Sequence, residues 1–77
     1  MEELIEELDL LLEDNTVPKN VRLKLEGAKS ALLQVDVEDS LRANKALQEL
    51  DDLSDDPNIP SYVRPQIWNI VSQLETL

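Results

Sequence analysis

Apolar residues recur at helical spacing in four segments of the chain. From about Glu2 to Glu13, Leu4, Leu8 and Leu11 share one face, with Ile5 and Leu12 beside them. From about Lys19 to Gln34 the stripe is Val21, Leu25, Ala28 and Leu32. From about Val37 to Leu53 it is Ala43, Ala46, Leu47, Leu50 and Leu53, and from about Tyr62 to Glu75 it is Val63, Ile67, Ile70, Val71 and Leu74. A repeat every three or four residues turns one side of a helix toward a core, so four helices are predicted. Between them, Asp14 to Pro18 and Asp55 to Pro60 are rich in turn formers, and Gln34-Val35-Asp36 is a shorter break. Short links make successive helices antiparallel neighbours. Asp36 is the expected N-cap of the third helix, with Glu38 and Asp39 at the positive end of its dipole. Ser61 is the expected N-cap of the fourth, whose first turn must hold Pro65.

An internal repeat organises these elements. With Pro18 placed over Pro60, an offset of 42 residues, Leu8 meets Leu50, Leu11 meets Leu53, Asp14 meets Asp56 and Val17 meets Ile59. Beyond the prolines, Val21 meets Val63, Arg22 meets Arg64, Leu25 meets Ile67, Ser30 meets Ser72 and Leu32 meets Leu74. A period near 40 with two helices per unit lies in the range of HEAT and armadillo repeats. Asp36 followed by Leu41-Arg42 has the spacing of a HEAT turn. The expected fold is all-α: one domain over residues 1–77, four antiparallel helices as two HEAT-like helix pairs, about 1–34 and 35–77, forming a helical bundle.

Composition narrows the function. The 77 residues allow one domain, and one this small buries only about 60% of its unfolded surface. Its apolar residues are mostly aliphatic, with no Phe, one Tyr, one Trp and one Gly, which suits packed helices better than strands. The net charge of −10 repels nucleic acid and anionic membranes and favours basic partners or cations. Zero Cys and zero His remove the usual nucleophile, general base and soft metal ligands. No Ser has a recognisable base partner and no phosphate loop occurs. The expectation is a protein that is not an enzyme, with no catalytic residue and no cofactor. Apolar runs such as Leu10 to Leu12 are too short to span a membrane, and Met1 is followed at once by Glu2 and Glu3 rather than by a basic, apolar leader. A cytoplasmic protein is expected.

Several groups are candidates for chemistry or contact. Asp51, Asp52, Asp55 and Asp56 form the densest acidic cluster and could offer oxygen ligands to Mg²⁺ or Ca²⁺. They lack the Gly and the downstream Glu of a calcium loop, and a solvated helix end with turn caps explains them as well. Glu2, Glu3, Glu6 and Glu7 suit the start of the first helix. Arg22, Arg42 and Arg64 recur just inside helix starts, a pattern that suits ties to neighbouring turns better than anion binding. Lys19, Arg22, Lys24 and Lys29 give the second helix a sparse basic face, without aromatics to stack bases, that can pair with acidic neighbours. Trp68 follows the inward Ile67 and either covers the edge of a helix pair or anchors an interface. Gly27 either permits a close helix crossing or sits unremarked on the surface.

Two stretches resemble a known family. Glu13-Asp14-Asn15-Thr16-Val17-Pro18-Lys19-Asn20-Val21-Arg22 is one. The other is Asp56-Pro57-Asn58-Ile59-Pro60 with Arg64, Ile67-Trp68-Asn69 and Val71-Ser72-Gln73-Leu74-Glu75. Together they are similar to uncharacterised protein family 0147 (UPF0147), small archaeal proteins, across nearly the whole chain. The resemblance implies an archaeal, cytoplasmic, helical protein and carries no activity, cofactor or site residue with it.

The favoured expectation is a non-enzymatic protein–protein interaction module acting as a homo-oligomer, with a dimer as the simplest form and a further protein partner unidentified. Helix 1 carries Leu10 in addition to its stripe, and helix 4 carries Trp68 and Val71, so these three are the candidate interface residues. The alternatives are a divalent-cation-binding protein using Asp51 to Asp56, or an accessory protein of a ribonucleoprotein complex acting through the second helix.

Overall fold

A computed structural model describes residues 2–76, and four helices account for their regular structure: α1 (Glu2–Leu12), α2 (Lys19–Leu33), α3 (Asp39–Ser54) and α4 (Arg64–Leu74). No strand occurs among the described residues. Successive helices run antiparallel. The α2 and α3 helices pack most extensively on each other, α1 lies on α2, α4 lies on α3, and α1 meets α4 along a slighter contact.

The aliphatic stripes meet in one core. Leu4, Leu8, Leu11, Val21, Leu25, Leu32, Leu50, Leu53, Ile67, Ile70 and Leu74 are all buried. Ile5, Leu12, Leu47 and Val71 pack half-buried around it. Val17 and Ile59, each directly before a turn proline, are also buried. They join the core from turns rather than helices, which helical periodicity alone does not reveal. No described buried residue is polar or charged, so no side chain of a buried core residue needs a hydrogen-bonding partner.

The two proline turns are built alike. Asp14 N–H donates to the Leu11 carbonyl and Val17 N–H to the Asp14 carbonyl, both at 3.2 Å. Asp56 N–H donates to Leu53 at 3.0 Å and Ile59 N–H to Asp56 at 3.4 Å. Each aspartate also accepts from the backbone N–H two residues on: Thr16 to Asp14 at 2.9 Å and Asn58 to Asp56 at 2.8 Å. These are Asx turns, in which a side chain closes the loop that the backbone leaves open.

The expected N-caps of α3 and α4 are corrected by the backbone. Asp36 does not cap α3. It takes φ of 60°, a left-handed conformation that aspartate tolerates better than most residues, and so reverses the chain between α2 and α3. The cap position falls to Glu38, with extended φ and ψ of −60° and 148° and no side-chain cap bond. Ser61 does not cap α4 either, because the helix begins at Arg64 with Val63 before it. Pro65 supplies no N–H and disfavours helical geometry just upstream. The entry therefore tightens, with Val63 N–H donating to the Pro60 carbonyl three residues back at 3.0 Å. In α2, where Leu23 replaces that proline, Arg22 N–H reaches the Pro18 carbonyl four back at 2.9 Å.

Candidate functional site

The repeated arginines divide into two kinds. The Arg22 guanidinium donates to the Asp14 carbonyl at 3.0 Å, holding the first proline turn to α2. Arg42 donates to the carbonyls of Leu32 and Gln34 at 3.2 and 3.3 Å and pairs with Asp39. It thereby satisfies the frayed end of α2 from the first turn of α3. Arg64 departs from the expected pattern. It is exposed and makes no hydrogen bond or ion pair among the described residues, because the late start of α4 changes its position relative to the turn.

The basic residues of α2 face carboxylates. Lys24 bridges Glu49 at 3.5 Å and Asp52 at 3.1 Å, and the hydrogen bond to Asp52, then the charge of Glu49, raise its pKa above the ordinary 10.5. Lys29 pairs with Asp9 of α1 at 2.5 Å. A basic face able to track phosphates is therefore largely consumed inside the molecule.

The acidic cluster does not converge. Asp52 is paired with Lys24. Asp56 turns the other way, accepting from Asn58 and, at 2.7 Å, from the Asn20 side chain. Asp55 ends α3 in the C-cap position, and Asp51 lies exposed against α4. No group of three or more carboxylates among the described residues is close enough together to hold a metal ion. Asp14 is the carboxylate most altered by its surroundings. Hydrogen bonds from the Thr16 hydroxyl and backbone, and then from the Tyr62 hydroxyl, hold its pKa below the ordinary 3.8.

Two clefts flank α4. On one side, Glu7, Leu10 and Leu11 of α1 face Gln66, Asn69 and Ile70 across a cleft of about 200 Å³. Leu10 stands 66% exposed at its edge. On the other side, a groove of about 320 Å³ runs between α3 and α4. Leu50, Ile67 and Val71 line its floor, Trp68 forms a wall, and Asp51 and Glu75 stand at its rim. The Trp68 indole is 70% exposed, so it does not cover the core. Of the candidate interface residues, the fold brings Trp68 and Val71 together in one groove and leaves Leu10 across α4 from them.

A third apolar region was not picked out by helical spacing. Leu33 and Val35, at the end of α2 and in the link after it, are 54% and 80% exposed, and Leu41 in the first turn of α3 is 52% exposed. Leu33 and Leu41 are large apolar residues lying off the stripe of their own helix, which is the signal for them; Leu23, 58% exposed, is off the α2 stripe as well but ten residues before Leu33.

The comparisons with known proteins agree with this architecture. The chain matches the profile of the Uncharacterised protein family (UPF0147) over residues 1–77. A UPF0147 protein of Archaeoglobus fulgidus is 47% identical over 77 residues, covering 100% of this chain and 87% of that protein. One of Methanocaldococcus jannaschii is 47% identical over 68 residues, covering 88% of this chain and 73% of that protein. The crystal structure of a family member from Thermoplasma acidophilum superposes with a TM-score of 0.91 at 39% identity, covering 99% of this chain and 89% of that one. The crystal structure of another protein of unknown function superposes with a TM-score of 0.95 at 45% identity, covering 99% of this chain and 86% of that one. The relatives named are archaeal. No helix among the described residues is long and apolar enough to cross a membrane.

Proposed function

We propose that this chain, which belongs to the UPF0147 family, is a non-enzymatic protein-interaction module that works through its helical surface and associates with itself. The carrying observation is the exposure of large apolar side chains on a molecule whose core is already filled. Leu10, Leu33, Val35 and Trp68 are each more than half exposed while Leu8, Leu25 and Leu50 are sealed. Single exposed leucines need no explanation. Here Leu33 and Val35 stand together at the α2–α3 link, while Leu10 and Trp68 each edge an apolar cleft beside α4, and apolar surface grouped in this way marks contact surfaces. A non-enzymatic role is supported by the zero His and zero Cys, which leave the clefts without the commonest nucleophile and general base.

Two-fold pairing is the simplest closed form of self-association, the same patch meeting itself. Two chains of net charge −10 repel, so the contact is apolar at its centre and acidic only at its rim. Sedimentation equilibrium in moderate salt tests the proposal, and a monomer–dimer equilibrium is expected. A strict monomer at high micromolar concentration discards self-association. Affinity purification from the native cell with mass spectrometry then asks whether another protein takes its place. Leu10→Ser and Val35→Ser, made separately, locate the dimer contact by which of them yields a folded monomer.

A further inference from the structure

We propose that the groove between α3 and α4, walled by Trp68 and rimmed by Asp51 and Glu75, binds an arginine- or lysine-bearing segment of a basic partner protein. The proposal rests on the reading of this chain as an interaction module and names the partner chemistry of one of its surfaces.

Three features of the groove fit a long cationic side chain. Its floor is aliphatic, with half-buried Val71 at the surface and Leu50 and Ile67 sealed beneath, and the methylene stem of Lys or Arg lies readily along such a surface. Its wall is an indole that is 70% exposed, the ring that attracts a cation over its face most strongly. Its rim carries Asp51 and Glu75, and a carboxylate can receive a guanidinium through two parallel hydrogen bonds.

Charge complementarity selects this occupant. The described ion pairs use Lys24, Lys29 and Arg42, and none reaches Asp51, Asp55 or Glu75. The basic residue within α4 is Arg64, at its start and away from Glu75, and it does not line the groove. The two rim carboxylates also lie in the wrong place for the free molecule. Asp51 is in the last turn of α3 and Glu75 caps the end of α4, where helix dipoles disfavour negative charge. A cation seated at either carboxylate relieves that unfavourable placement. A second copy of this chain suits the groove poorly, since its net charge of −10 opposes the rim.

The chain contains one Trp, so fluorescence excited selectively at tryptophan reports on this groove. The probe is a short capped peptide of arginine and alanine, with lysine and citrulline counterparts, titrated at moderate salt. Saturable change with the arginine and lysine peptides is expected, and little with citrulline. The double variant Asp51→Asn, Glu75→Gln is expected to weaken binding about tenfold or more, the equivalent of about 1.4 kcal/mol. Trp68→Leu, followed by calorimetry, is also expected to weaken it. The control is Glu2→Gln, Glu3→Gln, which removes equal charge from an exposed helix start and is expected to change affinity far less. Equal weakening by the two double variants, or binding indifferent to Trp68→Leu, overturns the proposal by reducing it to general attraction to an acidic surface. No binding at all also overturns it. A spectral change with chain concentration alone, without peptide, assigns the groove to a second copy instead. The rim variant should melt no lower than the native chain, which separates lost binding from lost folding. The peptide-binding outcomes do not depend on the sedimentation result, so this proposal and the proposed self-association fail separately.

Discussion

The Tyr62 hydroxyl donates a 2.8 Å hydrogen bond to the carboxylate of Asp14, forty-eight residues earlier. The Asn20 side chain donates to Asp56 at 2.7 Å, and the offset of 42 that carries Asp14 to Asp56 also carries Asn20 to Tyr62. Each proline turn is therefore bonded by the helix entry of the opposite pair. Such a reciprocal exchange is what a two-fold relation produces.

Tyr62→Phe is expected to lower the melting temperature at neutral pH and to move the Asp14 pKa up toward the ordinary 3.8. Asp14 has a lower pKa folded than unfolded. Its contribution is therefore full above the unfolded value and is lost as pH falls through the folded one. The stability gap between native and Tyr62→Phe chains should shrink on acidification below pH 3.8. Carboxyl titration by nuclear magnetic resonance, with melts at each pH, checks both.

Leu8 and Leu10 lie two positions apart in α1 but are 0% and 66% exposed. Leu8→Ala should cost about 2–5 kcal/mol, a large share of the stability of so small a domain. Leu10→Ala should cost about 0.5 kcal/mol or less in dilute solution. Urea unfolding of both variants at low protein concentration measures the difference, and a costly Leu10→Ala would mean that Leu10 is covered.

Arg42→Gln should destabilise by about 1.5–3 kcal/mol, since it removes charged hydrogen bonds to the carbonyls that end α2. Arg42→Lys should recover only part, because one ammonium replaces the two nitrogens that serve the carbonyls (Nη1) and Asp39 (Nη2). Arg64→Gln should be nearly neutral. Thermal melts of the three variants distinguish them, and equal effects at Arg42 and Arg64 would contradict their different environments.

A Cβ added at Gly27 would meet the Glu49 carboxyl carbon and one of its oxygens at 3.1 Å. The obstacle is the end of a flexible glutamate, which can move a few tenths of an ångström and still face Lys24. Alanine gains about 1 kcal/mol over glycine inside a helix, against an exposed ion pair worth about 0–1 kcal/mol. Gly27→Ala should therefore leave stability unchanged or raise it by up to about 1 kcal/mol in urea denaturation. A marked loss would mean that α2 and α3 touch more closely there than the Glu49 contact implies.

Salt should stabilise the chain between low and moderate ionic strength. A net charge of −10 repels itself, and the Debye length falls to about 10 Å at 0.1 M. Melting temperature against sodium chloride checks this, and a flat or falling trend would show that the Lys24 and Lys29 pairs outweigh the repulsion.

The four helices were legible because an aliphatic core leaves a periodic trace. The buried residues of α1 to α4 fall on the stripes of their segments, except Ala31 beside Leu32. Helix starts were less legible. Preferences of Asp36 and Ser61 for capping yielded to chain reversal at one and to Pro65 at the other, forces set by neighbours rather than by residue type. The surface divided similarly. An off-stripe Leu33 declares its exposure, whereas Trp68 follows a core residue and could have leaned either way. The bond between Asp14 and Tyr62 had no local signal, because only the folded chain brings those residues together.

The crosswise bonding of the proline turns also limits how the molecule can come apart. Neither helix pair holds its own turn complete, since Asp14 needs Tyr62 and Asp56 needs Asn20. The chain should therefore unfold in one cooperative step rather than half by half. If it were cut within the exposed Gln34–Glu38 link, the two fragments should be largely unstructured alone and regain helicity on mixing.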